Sequence, residues 1–357
     1  MSPAFAVSLP VRIVLTLLLA GAGAWLCVTL RTPIPWMIGP LLATGIASIL
    51  GAPTASWAPA RNAGQWTIGA ALGLYFTPYV TALIGSLWWA IVLGIAWALA
   101  LGWAFGLWLH RGHAARFGGT ARQQRATSYF AGAIGGASEM TLLAEREGAR
   151  TDLVAAAHSL RLLVVVLLVP FAFTFSGLHG IDLTPPGPRE AHWPGFALLA
   201  LATGAGALVM QWLGRANPWF MGALLVSMGI TMAGIHLSAL PQWMTNAAQL
   251  VIGVSLGVRF TAEFLHTAPR WLAGVTLGTV VMVALCAAFA WVLALGTGLH
   301  PATMILGTSP GGIAEMAITA KVLQLGVPVV TAFQVCRLVA VLVLVEPIFL
   351  RLYGRGP

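Results

Sequence analysis

Long apolar runs that almost lack charge are the feature that most constrains how this chain can fold. Such runs recur along its 357 residues, of which 59% are hydrophobic and only 8% are charged. A soluble domain carries about 25% charged residues, so this chain has too little polar surface to cover itself in water. The runs of about 17–25 residues are long enough to cross a bilayer and do not alternate as barrel strands do. We therefore predict an all-α polytopic membrane protein.

Three phrases occur twice in the same order and reveal an internal duplication. They are PWMIGPLL (35–42) and PWFMGALL (218–225), NAGQWTIGAALGLYFT (62–77) and NAAQLVIGVSLGVRFT (246–261), and AIGGASEM (133–140) and SPGGIAEM (309–316). The shift along the chain that takes the third phrase to its copy also takes Arg161 to Arg337. We predict a first membrane repeat over residues 10–176, a Pro- and Gly-rich linker over 177–192, and a second membrane repeat over 193–353.

The distribution of Lys and Arg decides the predicted topology. Each repeat has six apolar segments, and the fifth contains the Gly-Gly-x-x-Glu-Met phrase. If the N-terminus is cytoplasmic and the fifth segments enter and return, 13 of the 18 basic residues are cytoplasmic and three, Arg31, Arg189 and Lys321, are outside. If the fifth segments cross, the split is 9 to 7. The positive-inside rule favours the first arrangement. It predicts two inverted repeats, each with five transmembrane helices and one re-entrant or broken helix hairpin, and both termini in the cytoplasm.

The net charge of +9 has the same explanation. A basic chain can indicate a nucleic-acid partner, but loop charges that set topology account for it here, so we expect lipid and no direct nucleic acid. The three cysteines lie in apolar runs and the eight histidines are scattered. We therefore expect no metal site and no cofactor.

The two glycine-rich phrases are predicted to be hairpin tips near the middle of the membrane. Glycine suits such a turn because it lacks a Cβ and tolerates positive φ. Inverted repeats with interrupted helices are typical of secondary transporters, whose substrate site lies at the half-helix ends. The expected substrate- or ion-binding residues here are Gly135, Gly136, Ser138, Glu139, Arg161, Thr308, Ser309, Gly311, Gly312, Glu315 and Arg337.

The charged members of this set allow two interpretations each. Glu139 and Glu315 either carry a proton or pair with a cation, or they cap the N-terminus of a half-helix. Pairing Glu139 with Arg161, and Glu315 with Arg337, would avoid isolated charges in the membrane, and the arginines serve either this pairing or a substrate anion. A second symmetric set of amides either lines the cavity or bonds between helices: Asn62, Gln65, Asn246 and Gln249.

The duplicated phrases PWMIGPLL and PWFMGALL, and GGASEM and GGIAEM, resemble those of the AbrB-type duplicated bacterial membrane proteins, also labelled ammonia monooxygenases. The resemblance covers nearly the whole chain. It implies a multi-pass protein of the bacterial inner membrane, and the family's labels include regulation of gene expression.

Three functions are compatible with these observations. The favoured one is a secondary transporter of a small solute, working by alternating access around the two hairpins. Small organic acids or other anions fit the arginines and half-helix N-termini, and the glutamates offer coupling to protons. The alternatives are a membrane protein that regulates gene expression indirectly and a membrane-bound monooxygenase, which would need clustered copper or iron ligands. We expect no enzyme activity, and no GxxxxGK[ST] motif for ATP hydrolysis is present.

Overall fold

The computed structural model of this chain describes residues 8–113, 118–177, 180, 190–215 and 217–354. Its first half contains α1 (Leu9–Thr29), α2 (Pro35–Ile49), α3 (Ala58–Gly73), α4 (Pro78–Ser86), α5 (Trp88–His113), α6 (Ala121–Gly132), α7 (Ala137–Arg146) and α8 (Thr151–Ser176). Its second half contains α9 (Trp193–Trp212), α10 (Pro218–Met232), α11 (Gln242–Gly257), α12 (Ala262–Thr267), α13 (Pro269–Thr297), α14 (Pro301–Thr308), α15 (Ile313–Val322) and α16 (Val327–Tyr353). Within these residues the predicted all-α class is confirmed.

Six of these helices are long and apolar enough to cross a membrane. They are α1, α5, α8, α9, α13 and α16, with 20–29 residues each. Apolar side chains on α1 and α9 point outward, where Leu18 is 66% and Leu201 is 72% exposed. Burying such side chains in hydrocarbon is favourable, and the chain is therefore a multi-pass membrane protein.

Four other helices are shorter than the crossings predicted for them. α2 and α10 have 15 residues, and α3 and α11 have 16, so each extends only about 22–24 Å. α3 continues into α4 with a bend of 86°. By length and composition, six helices in the described part of the chain qualify as spans, or seven if the bent pair counts as one, compared with the ten predicted.

Two compact units divide the chain, and each combines helices from both halves. Unit 1 comprises Met1–Pro78 and Pro185–Thr267, and unit 2 comprises Tyr79–Thr184 and Ala268–Pro357. The predicted repeats follow the order of the sequence, whereas each compact unit takes part of its helices from either side of the predicted linker. Most of that linker, 177–192, lies outside the described residues.

In unit 1, glycines let helix backbones approach closely, and these contacts come in equivalent pairs. Gly69 of α3 lies against the backbone of Phe220 in α10, and Gly253 of α11 lies against the backbone of Met37 in α2. Gly69 and Gly253 are matching positions of one repeated phrase, and Met37 and Phe220 are matching positions of another. Reciprocal contacts of this kind arise between elements related by two-fold symmetry, and small residues commonly permit close helix packing in membranes.

Unit 2 has the same reciprocity. α5 packs on α6 and α16, while α13 packs on α14 and α8. A buried apolar cluster that includes Leu87, Ala290, Met304 and Phe333 joins α13, α14 and α16 to the start of α5. These helices surround the two glycine-rich phrases.

Candidate functional site

Hairpin 1 consists of α6, the break at residues 133–136, and α7, and its two ends meet. Arg122 near the start of α6 donates from Nη2 to Glu147 Oε2, just beyond α7, at 2.5 Å. The backbone N–H of Arg150 donates to Thr127 Oγ1 at 3.0 Å. The end of α7 therefore lies beside the start of α6, so the two helices form a hairpin.

Hairpin 2 consists of α14, the break at residues 309–312, and α15, and it closes in the same way. The backbone N–H of Gly326 donates to Thr303 Oγ1 at 3.3 Å. Gly326 and Thr303 are the repeat equivalents of Arg150 and Thr127, at the same spacing that relates Gly135 to Gly311. The same hydrogen bond therefore closes both hairpins. The two hairpins are thus equivalent in geometry as well as in sequence.

The first glycine of each tip makes room for a methionine. A Cβ on Gly135 would come within 2.8 Å of Cγ, Sδ and Cε of Met140. A Cβ on Gly311 would approach the same three atoms of Met316 at 2.8–2.9 Å. Interiors are close-packed and leave no space for such an overlap, so the first glycine and the methionine of the phrase belong together.

The second glycine of each tip makes room for the glutamate. Gly136 is the N-cap of α7, and Oε2 of Glu139 fills the space that a Cβ on Gly136 would need. Gly312 and Glu315 have the same relationship at the start of α15. The φ angles of Gly136 and Gly312 are −71° and −77°. The positive φ that glycine would permit is therefore not used at these two positions, whereas its lack of a Cβ is.

A carboxylate at this position faces the free N–H groups and the positive dipole end of its own half-helix. Glu139 is half-buried and Glu315 is only 7% exposed. Ser138 also lies in the first turn of α7, but its side chain is outside the described part of the chain. The geometry therefore suits the capping interpretation of both glutamates and leaves their protonation open.

Arg161 on α8 binds the carbonyl end of α6. Its Nη1 donates to the carbonyl oxygen of Ala133 at 2.8 Å, and its Nη2 donates to that of Gly135 at 3.2 Å. Nη2 also lies 2.6 Å from Nδ1 of His158, whose Nε2 lies 2.9 Å from the carbonyl oxygen of Phe130. Because guanidinium groups and carbonyls have fixed hydrogen-bonding roles, Nε2 donates and Nδ1 accepts, which makes the ring neutral.

Arg337 on α16 makes the matching contacts with the end of α14. Its Nη1 donates to the carbonyl oxygen of Ser309 at 2.5 Å, and its Nη2 donates to that of Gly311 at 2.9 Å. Gln334, one turn earlier, donates from Nε2 to the carbonyl oxygens of Leu306 at 2.7 Å and Ser309 at 3.1 Å. Both side chains thus converge on one carbonyl.

Gln334 is the site residue that sequence reasoning missed, and its counterpart at hairpin 1 is His158. The shift along the chain that relates Arg161 to Arg337 also relates His158 to Gln334. Extending the comparison by one helical turn would have found the pair. Each ties a long helix to the first half-helix of its hairpin, so the two hairpins differ at a position that is otherwise equivalent.

Arg161 binds backbone carbonyls instead of forming the ion pair expected with Glu139. Arg337 likewise donates to carbonyl oxygens of the break before Glu315. The carbonyl end of a helix carries a partial negative charge and the N–H end a partial positive one. Each arginine is therefore compensated by carbonyl groups at the end of the first half-helix.

The two predicted hydroxyl groups of hairpin 2 are used within its own helix. Thr308 Oγ1 donates to the carbonyl oxygen of Met304 at 3.0 Å, and Ser309 Oγ donates to that of Ile305 at 2.6 Å. Their oxygens could still accept a hydrogen bond, but their protons are committed.

The predicted amides lie in the other compact unit. Asn62 and Gln65 are on α3, and Asn246 and Gln249 are on α11, all in unit 1, whereas both hairpins are in unit 2. Gln249 is buried. Asn246 Oδ1 accepts from Gln242 of the same helix at 2.9 Å.

Comparison with known proteins places the whole arrangement in a protein family. A family model described as "Transition state regulatory protein AbrB" matches residues 36–353. The chain is 26% identical to "Uncharacterized protein YhjN" of Bacillus subtilis (strain 168) over 360 residues, covering 93% of this chain and 90% of that protein. It is 27% identical to "Putative regulator AbrB" of Escherichia coli (strain K12) over 317 residues, covering 87% of each.

Proposed function

We propose that this chain, which belongs to the AbrB family, is a secondary transporter of a small solute that binds at hairpins 1 and 2. The observation that carries this proposal is the matched pair of broken helices, with a buried arginine behind each tip and a glutamate at the start of each second half-helix. Discontinuous helices of this kind form the substrate and ion sites of secondary transporters. Ionisable side chains within a membrane are costly and are usually functional.

The hairpins are re-entrant in this proposal and open to opposite sides within two inverted repeats, 10–176 and 193–353, of five crossings each. The mouth of hairpin 1 carries Arg122, Arg146 and Arg150, whereas the corresponding end of hairpin 2 carries one basic residue, Lys321. By the positive-inside rule, hairpin 1 opens to the cytoplasm, where both termini also lie. Local thinning of the bacterial inner membrane accommodates the four short helices.

A small anion, such as an organic acid, is the proposed solute, and a proton is the proposed coupling ion. The guanidinium groups of Arg161 and Arg337 supply positive charge at the tips, and Glu139 and Glu315 supply the groups that exchange the proton. A carboxylate in a site of low polarity binds a proton more readily than one in water. The chain moves its solute unchanged in this proposal and has no enzyme activity.

The test uses purified protein in liposomes and records currents after concentration jumps of organic acids, amino acids and ammonium. We expect flux of at least one organic acid to respond to an imposed pH gradient. The Glu139→Gln, Glu315→Gln double variant should lose this response, while the exposed Glu145→Gln variant keeps it. Unchanged pH dependence in the double variant removes the proton role, and absence of flux for every solute removes the transporter.

A second candidate function follows from the names of the family and of one relative, both of which contain the word regulatory or regulator. A membrane protein that influences gene expression indirectly would use its basic stretch at residues 110–125, part of which lies outside the described residues. Replacing Arg116, Arg122 and Arg125 by Gln tests this. Altered transcript levels with solute flux intact would favour regulation over transport.

A further inference from the structure

Two buried polar atoms on α16 have no hydrogen-bond partner among the described residues. They are Oε1 of Gln334 and Nε of Arg337. The Gln334 side chain is fully buried and Arg337 is 6% exposed. Buried polar atoms in folded proteins nearly always have a partner, and an unsatisfied group costs more when it is charged. A group from outside the chain would satisfy both atoms.

Other atoms of the same two side chains are held by hydrogen bonds. Gln334 Nε2 and Arg337 Nη1 both donate to the carbonyl oxygen of Ser309, at 3.1 and 2.5 Å. The residues are three apart on α16, so their side chains are neighbours on one helix face. Their shared acceptor holds them in place, and the uncommitted atoms present one acceptor and one charged donor.

The charge around Arg337 favours an anion. The hydrogen-bond partners of Arg337 are carbonyl oxygens, which carry only partial charges. A negative group near Nε would satisfy this charged donor, which a water molecule would do only in part.

We infer that the solute is a small carboxylate with a hydroxyl group on the adjacent carbon. Its carboxylate accepts from Nε of Arg337, and its O–H donates to Oε1 of Gln334. This inference rests on the transport function proposed above and names its substrate class.

Hairpin 1 does not offer the same pair of atoms. His158 stands in place of Gln334 and uses both ring nitrogens, one for Arg161 and one for the carbonyl oxygen of Phe130. An imidazole has no third polar atom. The pair of atoms that selects a hydroxyl group beside the carboxylate therefore lies on hairpin 2 alone among the described residues.

The test measures binding to purified protein in detergent, by titrating glycolate, glycine and acetate at matched ionic strength and following thermal unfolding. Acetate keeps the carboxylate and lacks the second donor. A neutral hydrogen bond contributes about 0.5–1.5 kcal/mol. We therefore expect glycolate to bind about 2- to 10-fold more tightly than acetate, and glycine, whose ammonium group would lie beside the Arg337 cation, to bind no more tightly than acetate.

Two variants assign this ratio to hairpin 2. Gln334→His removes Oε1 but can still donate to the carbonyl oxygen of Leu306, as His158 does to that of Phe130, and it should bring the ratio to about one. The matched control Gln211→His makes the same substitution at an exposed position of α9, in unit 1, and should keep the ratio. The wild-type ratio needs no variant, so the inference stays testable if Gln334→His does not fold.

Equal affinities for glycolate and acetate in the wild type, no binding of any probe, or a ratio that survives Gln334→His would each overturn the inference. The outcome is separable from that of the transport assay, because binding is measured without a membrane. A lost ratio with flux intact overturns the substrate class alone. A retained ratio without flux of any solute overturns the transporter alone.

Discussion

The carboxylate of Glu139 occupies the space that a Cβ on Gly136 would fill, and this contact explains the spacing of the repeated phrase. Gly136 is the N-cap of α7 and Glu139 is its third residue, which is the position from which a glutamate reaches back over the start of a helix. In the same manner, Gly135 leaves the space that the side chain of Met140 occupies. In each tip, the residues from the first glycine to the methionine therefore pack against one another.

Replacing Gly136 by Ala is expected to destabilise the protein. The new methyl group would overlap the Glu139 carboxylate, and moving that carboxylate would take it from the helix N-terminus. The glutamate side chain is flexible and can turn aside, so the expected loss is its interaction with the helix N-terminus, about 0.3–1 kcal/mol. Thermal unfolding of the purified variant in detergent should show a lower midpoint, and Gly312→Ala should behave alike.

Two controls separate this overlap from a general effect of losing a glycine. Gly204 lies within α9 and has open space around its Cβ position, so Gly204→Ala should be neutral or raise stability by up to about 1 kcal/mol. In a Glu139→Ala background, Gly136→Ala should cost less than in the wild type. An equally large loss in both backgrounds would contradict the explanation.

Equal losses of stability are expected for Gly69→Ala and Gly253→Ala in unit 1. Each new Cβ would overlap a main-chain oxygen, that of Phe220 or of Met37. Backbone atoms cannot turn aside, so each substitution should cost about 1–3 kcal/mol in thermal unfolding. Gly229→Ala in α10 is the matched control, because its Cβ position is open. Tolerance of only one of the two substitutions would argue against the two-fold relationship.

These contacts show what the sequence could and could not predict. The repeated phrases correctly identified equivalent positions such as Met37 and Phe220, and the breaks fell at the predicted glycines. The phrases could not show that helices of one half pack on those of the other, because a repeat gives equivalence and not contact. The two compact units therefore emerged only from the structure.

The partners of the charged residues were harder to predict for a physical reason. An ion pair is the obvious solution when Arg161 and Glu139 share an apolar environment. A broken helix offers another, because its two new ends carry free carbonyl and N–H groups. Gln334 was missed because a single glutamine in an apolar run has no distinctive spacing, and its counterpart is a histidine.

Arg161→Lys and Arg337→Lys should each loosen the hairpin that the arginine holds. Each guanidinium bridges two carbonyl oxygens within a break, and a lysine ammonium is a point charge that cannot span both. Losing one charge-assisted hydrogen bond costs about 1.5–3 kcal/mol. Thermal unfolding measures the loss, and the exposed Arg351→Lys serves as the control. Variants as stable as the wild type would show that the bridging is unimportant.

Labelling of two equivalent positions tests whether the repeats are inverted. Arg146 and Val322 lie at equivalent ends of α7 and α15, and both are exposed. We expect single cysteines at these positions, in a background with Cys27, Cys286 and Cys336 replaced by Ala, to react with an impermeant maleimide from opposite sides. Arg146→Cys should react in inside-out vesicles and Val322→Cys in intact spheroplasts, because hairpin 1 opens to the basic, cytoplasmic side. Both thiols must react after solubilisation, which controls for accessibility. Reaction from one side only would make the repeats parallel and leave the charge asymmetry of the hairpin mouths unexplained.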